Sequence, residues 1–174
     1  MTHSIKTQGH SEQSRTMKKS IRNSGFMVIE ILIAASIITV SILAAMTITQ
    51  KSVYVSRQAF HTTQAAFLLE EGVEAVRIAR DNAWSNISSL ILNTNYYLTF
   101  SGNTWTLSQT TNTIGIFTRV VSIANVKRDN ITKDISATGT DDLGTKLVTV
   151  TVSWGEGGVT IVKTLQFYIT NIFS

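Results

Sequence analysis

Residues 26–46 of this 174-residue chain read FMVIEILIAASIITVSILAAM. The run holds 21 residues and a single charged side chain, that of Glu30. As an α-helix it would be about 31 Å long, which matches the hydrocarbon core of a lipid bilayer. The core helices of soluble proteins are seldom apolar on all sides over this length. The run therefore predicts a transmembrane helix over residues 26–46.

The excess positive charge of the chain lies before this helix. The formal net charge is +4, and residues 1–25 account for all of it, with five basic side chains and one acidic one. Residues 26–174 carry ten of each. A basic segment beside a membrane helix predicts a cytoplasmic N-terminus and places everything after Met46 outside. Because the rest of the chain has no net charge, no nucleic-acid partner is predicted.

An ordinary secretory signal peptide is the alternative interpretation of this N-terminus. The apolar region of such a peptide is usually about 7–15 residues long, which is shorter than the run observed here. Ala44 and Ala45 offer small side chains to a signal peptidase, but the helical pattern continues past them. A retained membrane anchor is therefore favoured.

A carboxylate inside the apolar run is the most informative feature of the sequence. Gly25 and Phe26 precede it, and Glu30 follows Phe26 by four residues. A charged side chain costs about 2.5–3.5 kcal/mol at the centre of a membrane helix and less near its end. Glu30 would lie about 6 Å along the helix from Phe26. It either extends to the lipid headgroups or pairs with a cation that another group supplies.

The basic leader, the Gly25-Phe26 junction and Glu30 together resemble the N-terminus of type IV prepilins, including the pseudopilins. The resemblance is close over residues 18–50 and covers the general architecture beyond them. It implies a cut between Gly25 and Phe26 by a prepilin peptidase/N-methyltransferase, followed by N-methylation of Phe26. It also implies that Glu30 pairs with the new amine of Phe26, in its own or an adjacent subunit, during assembly. The implied partners are that enzyme, other pilin or pseudopilin subunits, and membrane lipid.

The chain departs from many pilins in two respects. It has no glycine or proline over residues 26–71, where a helix breaker is common, although Thr39 and Thr47 occupy the corresponding region. It also has no cysteine, so the C-terminal disulfide of many pilins cannot form.

Residues 47–92 are predicted to continue the helix as an amphipathic segment with a connecting turn. Apolar and small side chains recur there at alternating spacings of four and three, which predicts one helix face. These are Val55, Ala59, Thr62, Ala66, Leu69, Val73 and Val76. We expect this face to pack on the chain's own sheet and on neighbouring helices of a filament, at different depths along the helix. The helix is expected to end near residues 81–82.

From residue 93 the apolar period changes from that of a helix to two, which is typical of strands. Strands are predicted over 96–100, 104–107, 114–126, 146–154 and 159–173, with turns at 101–103 and 155–158. Valine alternates with threonine from residue 148, which predicts an antiparallel sheet with one buried face. The predicted fold is α+β: a leader over 1–25, a long N-terminal helix, and a β-sheet head over 93–174 on which its amphipathic half packs.

No catalytic centre is predicted. His61 is the only histidine after residue 25, and one imidazole makes neither a zinc site nor a triad, so we interpret it as a surface residue. Asp129, Asp134, Asp141 and Asp142 share one loop, but their spacing matches no calcium-binding loop. Solvated turn residues are the favoured interpretation. We therefore expect no enzyme activity, no metal and no cofactor.

The sequence thus predicts the precursor of a filament subunit, a minor pilin or pseudopilin, with its head outside the cytoplasmic membrane. After assembly it would form a cell-surface or periplasm-spanning filament. A pilus, a type II secretion pseudopilus and a DNA-uptake filament all fit the pattern. The alternative is a single-span, membrane-anchored binding or adhesion module that does not polymerise.

Overall fold

A computed structural model describes residues 24–173 of the chain. The leader predicted over residues 1–25 therefore lies, except for Ser24 and Gly25, outside the described residues. The helices are α1 (Ser24–Asn82) and α2 (Ser85–Ser88). The strands are β1 (Tyr97–Ser101), β2 (Thr104–Ser108), β3 (Thr113–Ile114), β4 (Phe117–Arg128), β5 (Ile135–Ser136), β6 (Thr140–Glu156) and β7 (Val159–Thr170).

This architecture confirms the predicted α+β class, with a long apolar N-terminal helix followed by antiparallel strands. α1 ends at Asn82, where the sequence predicted its end, and the short helix α2 follows. The chain divides between Gln50 and Lys51 into two compact units, each of which is described here by itself.

The strands form two sheets rather than the single sheet that the sequence predicted. β1 and β2 pair with each other as a separate hairpin. The larger sheet has the order β3-β4-β6-β7, and β5 pairs with the far end of β4. All of these pairings are antiparallel. β7 forms one edge of the larger sheet, because β6 is its only partner within the described residues.

The predicted buried face of the larger sheet is confirmed. Val148, Val150, Val152 and Trp154 of β6 are buried, and the serine and threonine residues between them lie on the other face. Val121 and Ile123 of β4 join the same core. β-branched side chains suit this position because they pack well on a pleated surface.

The face of α1 that covers this sheet differs from the predicted one. Leu69, Val73 and Val76 contribute to the core as expected, but Val55, Ala59, Thr62 and Ala66 are exposed. The residues of α1 that are buried are instead mainly small: Ala65, Gly72, Ala75 and Ala79 join Val73 and Val76. A face of small side chains lets the helix backbone lie close to the valines of the sheet, and periodicity alone does not measure that distance.

Two turns are tighter than the sequence suggested. The β6–β7 turn is formed by Gly157 and Gly158 alone, both at positive φ, as the type I′ hairpin turn requires. Glu156, predicted to lie in this turn, is instead the last residue of β6 and is buried. The β1–β2 turn likewise has two residues, Gly102 and Asn103, rather than three.

A buried arginine joins α1 to the sheet. The side chain of Arg119 is only 2% exposed, and its Nη1 donates to Glu71 Oε2 at 2.7 Å and to the carbonyl oxygen of Leu68 at 3.2 Å. Its guanidinium also lies 5.4 Å from the ring centroid of Trp105, in the range of a cation–π contact. Glu71, which is 47% exposed, is the only acidic partner of Arg119 among the described residues.

Gly72→Ala is expected to destabilise the protein although alanine is the better helix former. A Cβ at position 72 would lie 2.7 Å from Cγ1 of the fully buried Val150. Overpacking costs about 1–3 kcal/mol, against about 1 kcal/mol gained in helix propensity. Urea unfolding of the full chain in detergent micelles measures the difference. In a Val150→Ala background the added cost of Gly72→Ala should vanish; an equal cost in both backgrounds would contradict the close approach.

Loss of Glu71 is expected to cost more stability than loss of Arg119. Glu71→Gln leaves a buried cation without its counter-charge, at a cost of about 3 kcal/mol. Arg119→Met replaces the cation with an apolar side chain of similar length, a type of change that is often close to neutral. Glu70→Gln is the matched control, because Glu70 is exposed. Similar losses for Glu70→Gln and Glu71→Gln in urea unfolding would refute this role of the ion pair.

Candidate functional site

The first part of α1, over residues 26–50, exposes its side chains. Every residue from Phe26 to Gln50 is exposed, including all of its large apolar side chains. In water so large an apolar surface would be unfavourable, and surfaces of this kind mark contacts with membranes or other proteins. Within the described residues, α1 is the one helix that is long and apolar enough to cross a membrane.

The polar side chains in this part of α1 form hydrogen bonds within the helix. The hydroxyl groups of five serines and threonines donate to backbone carbonyl oxygens three or four residues earlier, at 2.7–2.9 Å. They belong to Ser36, Thr39, Ser41, Thr47 and Thr49. In lipid such bonds satisfy donors that would find no water. Bonds of this kind slightly destabilise a helix, but α1 is continuous through Thr39 and Thr47.

Glu30 stands apart from these residues because its charge has no partner in the described structure. It is exposed on the apolar helix and forms no ion pair within residues 24–173. Phe26 is also exposed, and its spacing of four residues places it on the same face of the helix as Glu30. An amine at position 26 would therefore lie on the face of the helix that carries the Glu30 carboxylate.

The proposed cleavage site lies in the first turn of α1. Helical backbone begins at Ser24, so the Gly25–Phe26 bond is helical in the uncleaved chain. Glycine destabilises a helix by about 1 kcal/mol relative to alanine, and the first turn contains no acidic side chain to favour its N-terminus. The first turn of α1 is therefore weakly stabilised by its own sequence.

In the second unit, an acidic side chain of the sheet contacts α1. Glu156 is 5% exposed and its Oε2 is hydrogen-bonded to Nδ1 of His61, while its Oε1 lies 3.9 Å from Nε of Arg57. His61 is 18% exposed and lies edge-on to Phe117. The interpretation of His61 as a surface residue was wrong, because Glu156 of the distant strand β6 covers it.

This contact changes the ionisation of Glu156. The hydrogen bond with His61 is the main cause that lowers the pKa of Glu156, and the charges of His61 and Arg57 act in the same direction, against the effect of burial. Glu156 is therefore an ion over a wider pH range than an isolated glutamate. The arrangement resembles part of a catalytic triad but has no nucleophile in contact with His61 among the described residues, so it joins the helix to the sheet.

The acidic loop after β4 uses its carboxylates internally. Asp129 Oδ1 accepts hydrogen bonds from the backbone N–H groups of Ile131 and Thr132, which lower its pKa. Asp142 accepts from Arg128 Nε at 2.6 Å, and this bond lowers the pKa of Asp142. Within residues 24–173 no three acidic or histidine side chains converge as metal ligands would.

A second uncovered apolar surface lies on α1 beyond residue 50. Val53, Val55, Phe60 and Phe67 are each more than half exposed. They occupy the sides of the helix that do not face the sheet. These apolar residues are visible in the sequence. Only the structure shows which apolar side chains of α1 remain exposed when its other side packs on the sheet.

Comparisons of the chain with protein-family models, with curated proteins and with solved structures give no match.

The protein is expected to become less stable in acid, partly because Glu156 becomes protonated. Because its pKa in the folded protein lies below the ordinary value of about 4.5, its contribution is fully present above that pH and is lost as the pH falls through the lowered pKa. Thermal unfolding between pH 6 and pH 3, in roughly the range where carboxylates titrate, should show a smaller decrease for Glu156→Gln than for the unaltered chain.

Glu74→Gln is the control for this measurement. Glu74 pairs with Arg77 on the exposed side of α1, so its loss should leave the pH dependence unchanged. Equal slopes of melting temperature against pH for Glu156→Gln and the unaltered chain would show that the contact with His61 has no such effect.

Proposed function

We propose that this chain is the precursor of a type IV pilin-like filament subunit, a minor pilin or a pseudopilin. It is cleaved after Gly25, N-methylated at Phe26 and assembled through its N-terminal helix. The observation that carries the proposal is Glu30, an exposed acid on an apolar helix, one turn after Gly25-Phe26, that forms no ion pair within residues 24–173.

Cleavage would supply the partner that Glu30 lacks. In the uncleaved chain the nitrogen of Phe26 is an uncharged amide, whereas after cleavage it becomes a cationic amine. Opposite charges attract strongly in an apolar environment, provided that each charge that loses its water finds the other. Assembly would therefore depend on processing, since the leaderless subunit alone carries both halves of the pair.

The surfaces of α1 support packing against other copies of the helix. Residues 26–50 expose their apolar side chains, and in the second unit Val53, Phe60 and Phe67 are each more than half exposed as well. A membrane anchor alone accounts for residues 26–46. It does not account for exposed phenylalanines at positions 60 and 67, which lie beyond the length that a bilayer covers.

The location that fits this proposal is a single-pass protein of the cytoplasmic membrane, with its N-terminus in the cytoplasm and its sheet outside. The basic residues before position 26 favour that orientation. Prepilin peptidase/N-methyltransferase, other subunits and lipid are the partners proposed.

The mature N-terminus tests the proposal directly. Mass spectrometry of the protein purified from the cells that make it should find a chain that begins at methylated Phe26. An intact Met1 would instead support the anchored module that does not polymerise. An N-terminus near Met46 would mean cleavage as an ordinary signal peptide.

Glu30→Ala is expected to allow processing but prevent assembly. Breaking a buried ion pair costs about 3 kcal/mol, which lowers an association constant roughly 100-fold. Sheared filaments measured against processed membrane protein give the assembled fraction. Glu70→Ala removes the same charge from an exposed position of α1 outside the membrane segment and should assemble normally. Normal assembly of Glu30→Ala would exclude the role proposed for Glu30.

A further inference from the structure

We infer that Asn130 is an acceptor for an N-linked oligosaccharide. Asn130-Ile131-Thr132 is an Asn-x-Thr tripeptide, the pattern that directs oligosaccharide to asparagine in surface loops of exported segments. It lies between β4 and β5. The inference rests on the proposed function in one respect, because it requires the sheet to lie outside the cytoplasm.

The structure distinguishes this tripeptide from a second one in the same chain. Asn86-Ile87-Ser88 has the same pattern and forms most of helix α2. The two tripeptides share isoleucine at the middle position, so their local chemistry is closely matched. What separates them is the tertiary structure around each asparagine.

Asn130 presents its amide nitrogen to solvent. Its Oδ1 accepts a hydrogen bond from Thr140 Oγ1 at 2.7 Å, whereas its Nδ2 donates no hydrogen bond to residues 24–173. Ile131 is 90% exposed, so moving the tripeptide into an enzyme would remove no apolar side chain from the core. The hydroxyl group of Thr132 is exposed as well, and accepts only one weak bond, from the backbone of Asp134 at 3.3 Å.

The loop also holds Asn130 in a defined place. Oδ1 of Asp129 accepts hydrogen bonds from the backbone nitrogens of Ile131 at 2.8 Å and Thr132 at 2.9 Å. The backbone of Lys133 donates to the carbonyl oxygen of Asp129 at 3.1 Å and closes the turn. Asn130 lies at the outer part of this turn, as an acceptor for a large polar group requires.

Asn86 is exposed like Asn130, but its amide nitrogen is already engaged in the folded protein. Its Nδ2 donates to the carbonyl oxygen of Ala79 at 3.0 Å, and the same oxygen accepts from the backbone nitrogen of Ala83 at 3.3 Å. Ile87 is fully buried in the core. An enzyme would have to break that hydrogen bond and withdraw Ile87 before it reached the nitrogen.

The transfer requires a lipid-pyrophosphate-linked oligosaccharide as the co-substrate. The nitrogen Nδ2 of Asn130 attacks C1 of the first sugar, and a C1–N bond forms while the bond from C1 to the pyrophosphate oxygen breaks. The lipid pyrophosphate leaves with the electron pair, and Nδ2 gives up one proton to a base of the transferase. The attached sugar would also shield Ile131 from water.

Tryptic peptides of the protein purified from its native membrane test this inference. Arg128 and Lys133 flank the site, so trypsin releases residues 129–133 as a short peptide. Tandem mass spectrometry should find this peptide carrying an oligosaccharide on Asn130, and the peptide that contains Asn86 should be bare. Asn130→Gln and Thr132→Ala should each abolish the modification, Thr132→Ser should keep it, and Asn86→Gln should leave it unchanged.

Two outcomes would overturn the inference. One is an unmodified 129–133 peptide as the only form in the native protein. The other is a sugar that persists in Asn130→Gln, which would place it on the hydroxyl group of Thr132. The same spectra report the N-terminus, so the two proposals can be distinguished. A methylated Phe26 with an unmodified Asn130 would overturn only the glycosylation of Asn130. A glycan on Asn130 with an intact Met1 would overturn only the proposal of a filament subunit.

Discussion

The close approach of α1 to strand β6 is the contact on which the fold of residues 51–173 depends. Gly72 offers no side chain where Val150 comes nearest, and Ala75 and Ala79 continue the same small face along the helix. Interiors are packed almost as tightly as crystals, so a helix that approaches this closely gains dispersion contacts along its whole length. The larger apolar side chains of α1, such as Phe60 and Phe67, are thereby left on its other sides.

Two ionic contacts make this packing specific. Apolar attraction is not directional, and valines against alanines would tolerate a helix that slides along the sheet. Glu71 with Arg119 and His61 with Glu156 each join one residue of α1 to one residue of the larger sheet, at places ten positions apart on the helix. We infer that these pairs select the position of the helix, since a displaced helix would leave Arg119 or Glu156 buried without its counter-charge.

The uncovered surfaces of α1 connect this fold to the proposed assembly. Over residues 26–50 the serine and threonine hydroxyl groups bond within the helix, and the other exposed side chains are apolar apart from Glu30 and Gln50, which suits lipid or other such helices. Glu30 is the exception on this surface, and a carboxylate without a partner is unfavourable wherever water is excluded. Proteolysis after Gly25 would reduce the free-energy cost of burying Glu30 by creating an amine at Phe26. A subunit would then assemble only after its leader is removed.

The amino-acid sequence by itself determined the features that local composition controls. The apolar run over 26–46, the position of Glu30 after Gly25-Phe26, the end of α1 near Asn82 and the buried valine face of β6 are each visible as period, length or charge. These follow because hydrophobic burial and helix geometry act on neighbours along the chain. The α+β class follows from them, and so does the candidate site in the N-terminal helix.

Only the tertiary structure decided which distant residues meet. The covering face of α1, the separate β1–β2 hairpin, and the contacts of Glu156 with His61 and of Arg119 with Glu71 depend on how closely two elements approach. Periodicity marks a face but not the distance to its partner, and His61 and Glu156 are 95 residues apart in sequence. The difference between Asn130 and Asn86 arises in the same way, because the amide nitrogen of Asn130 has no bond within residues 24–173 and that of Asn86 is bonded beside the buried Ile87.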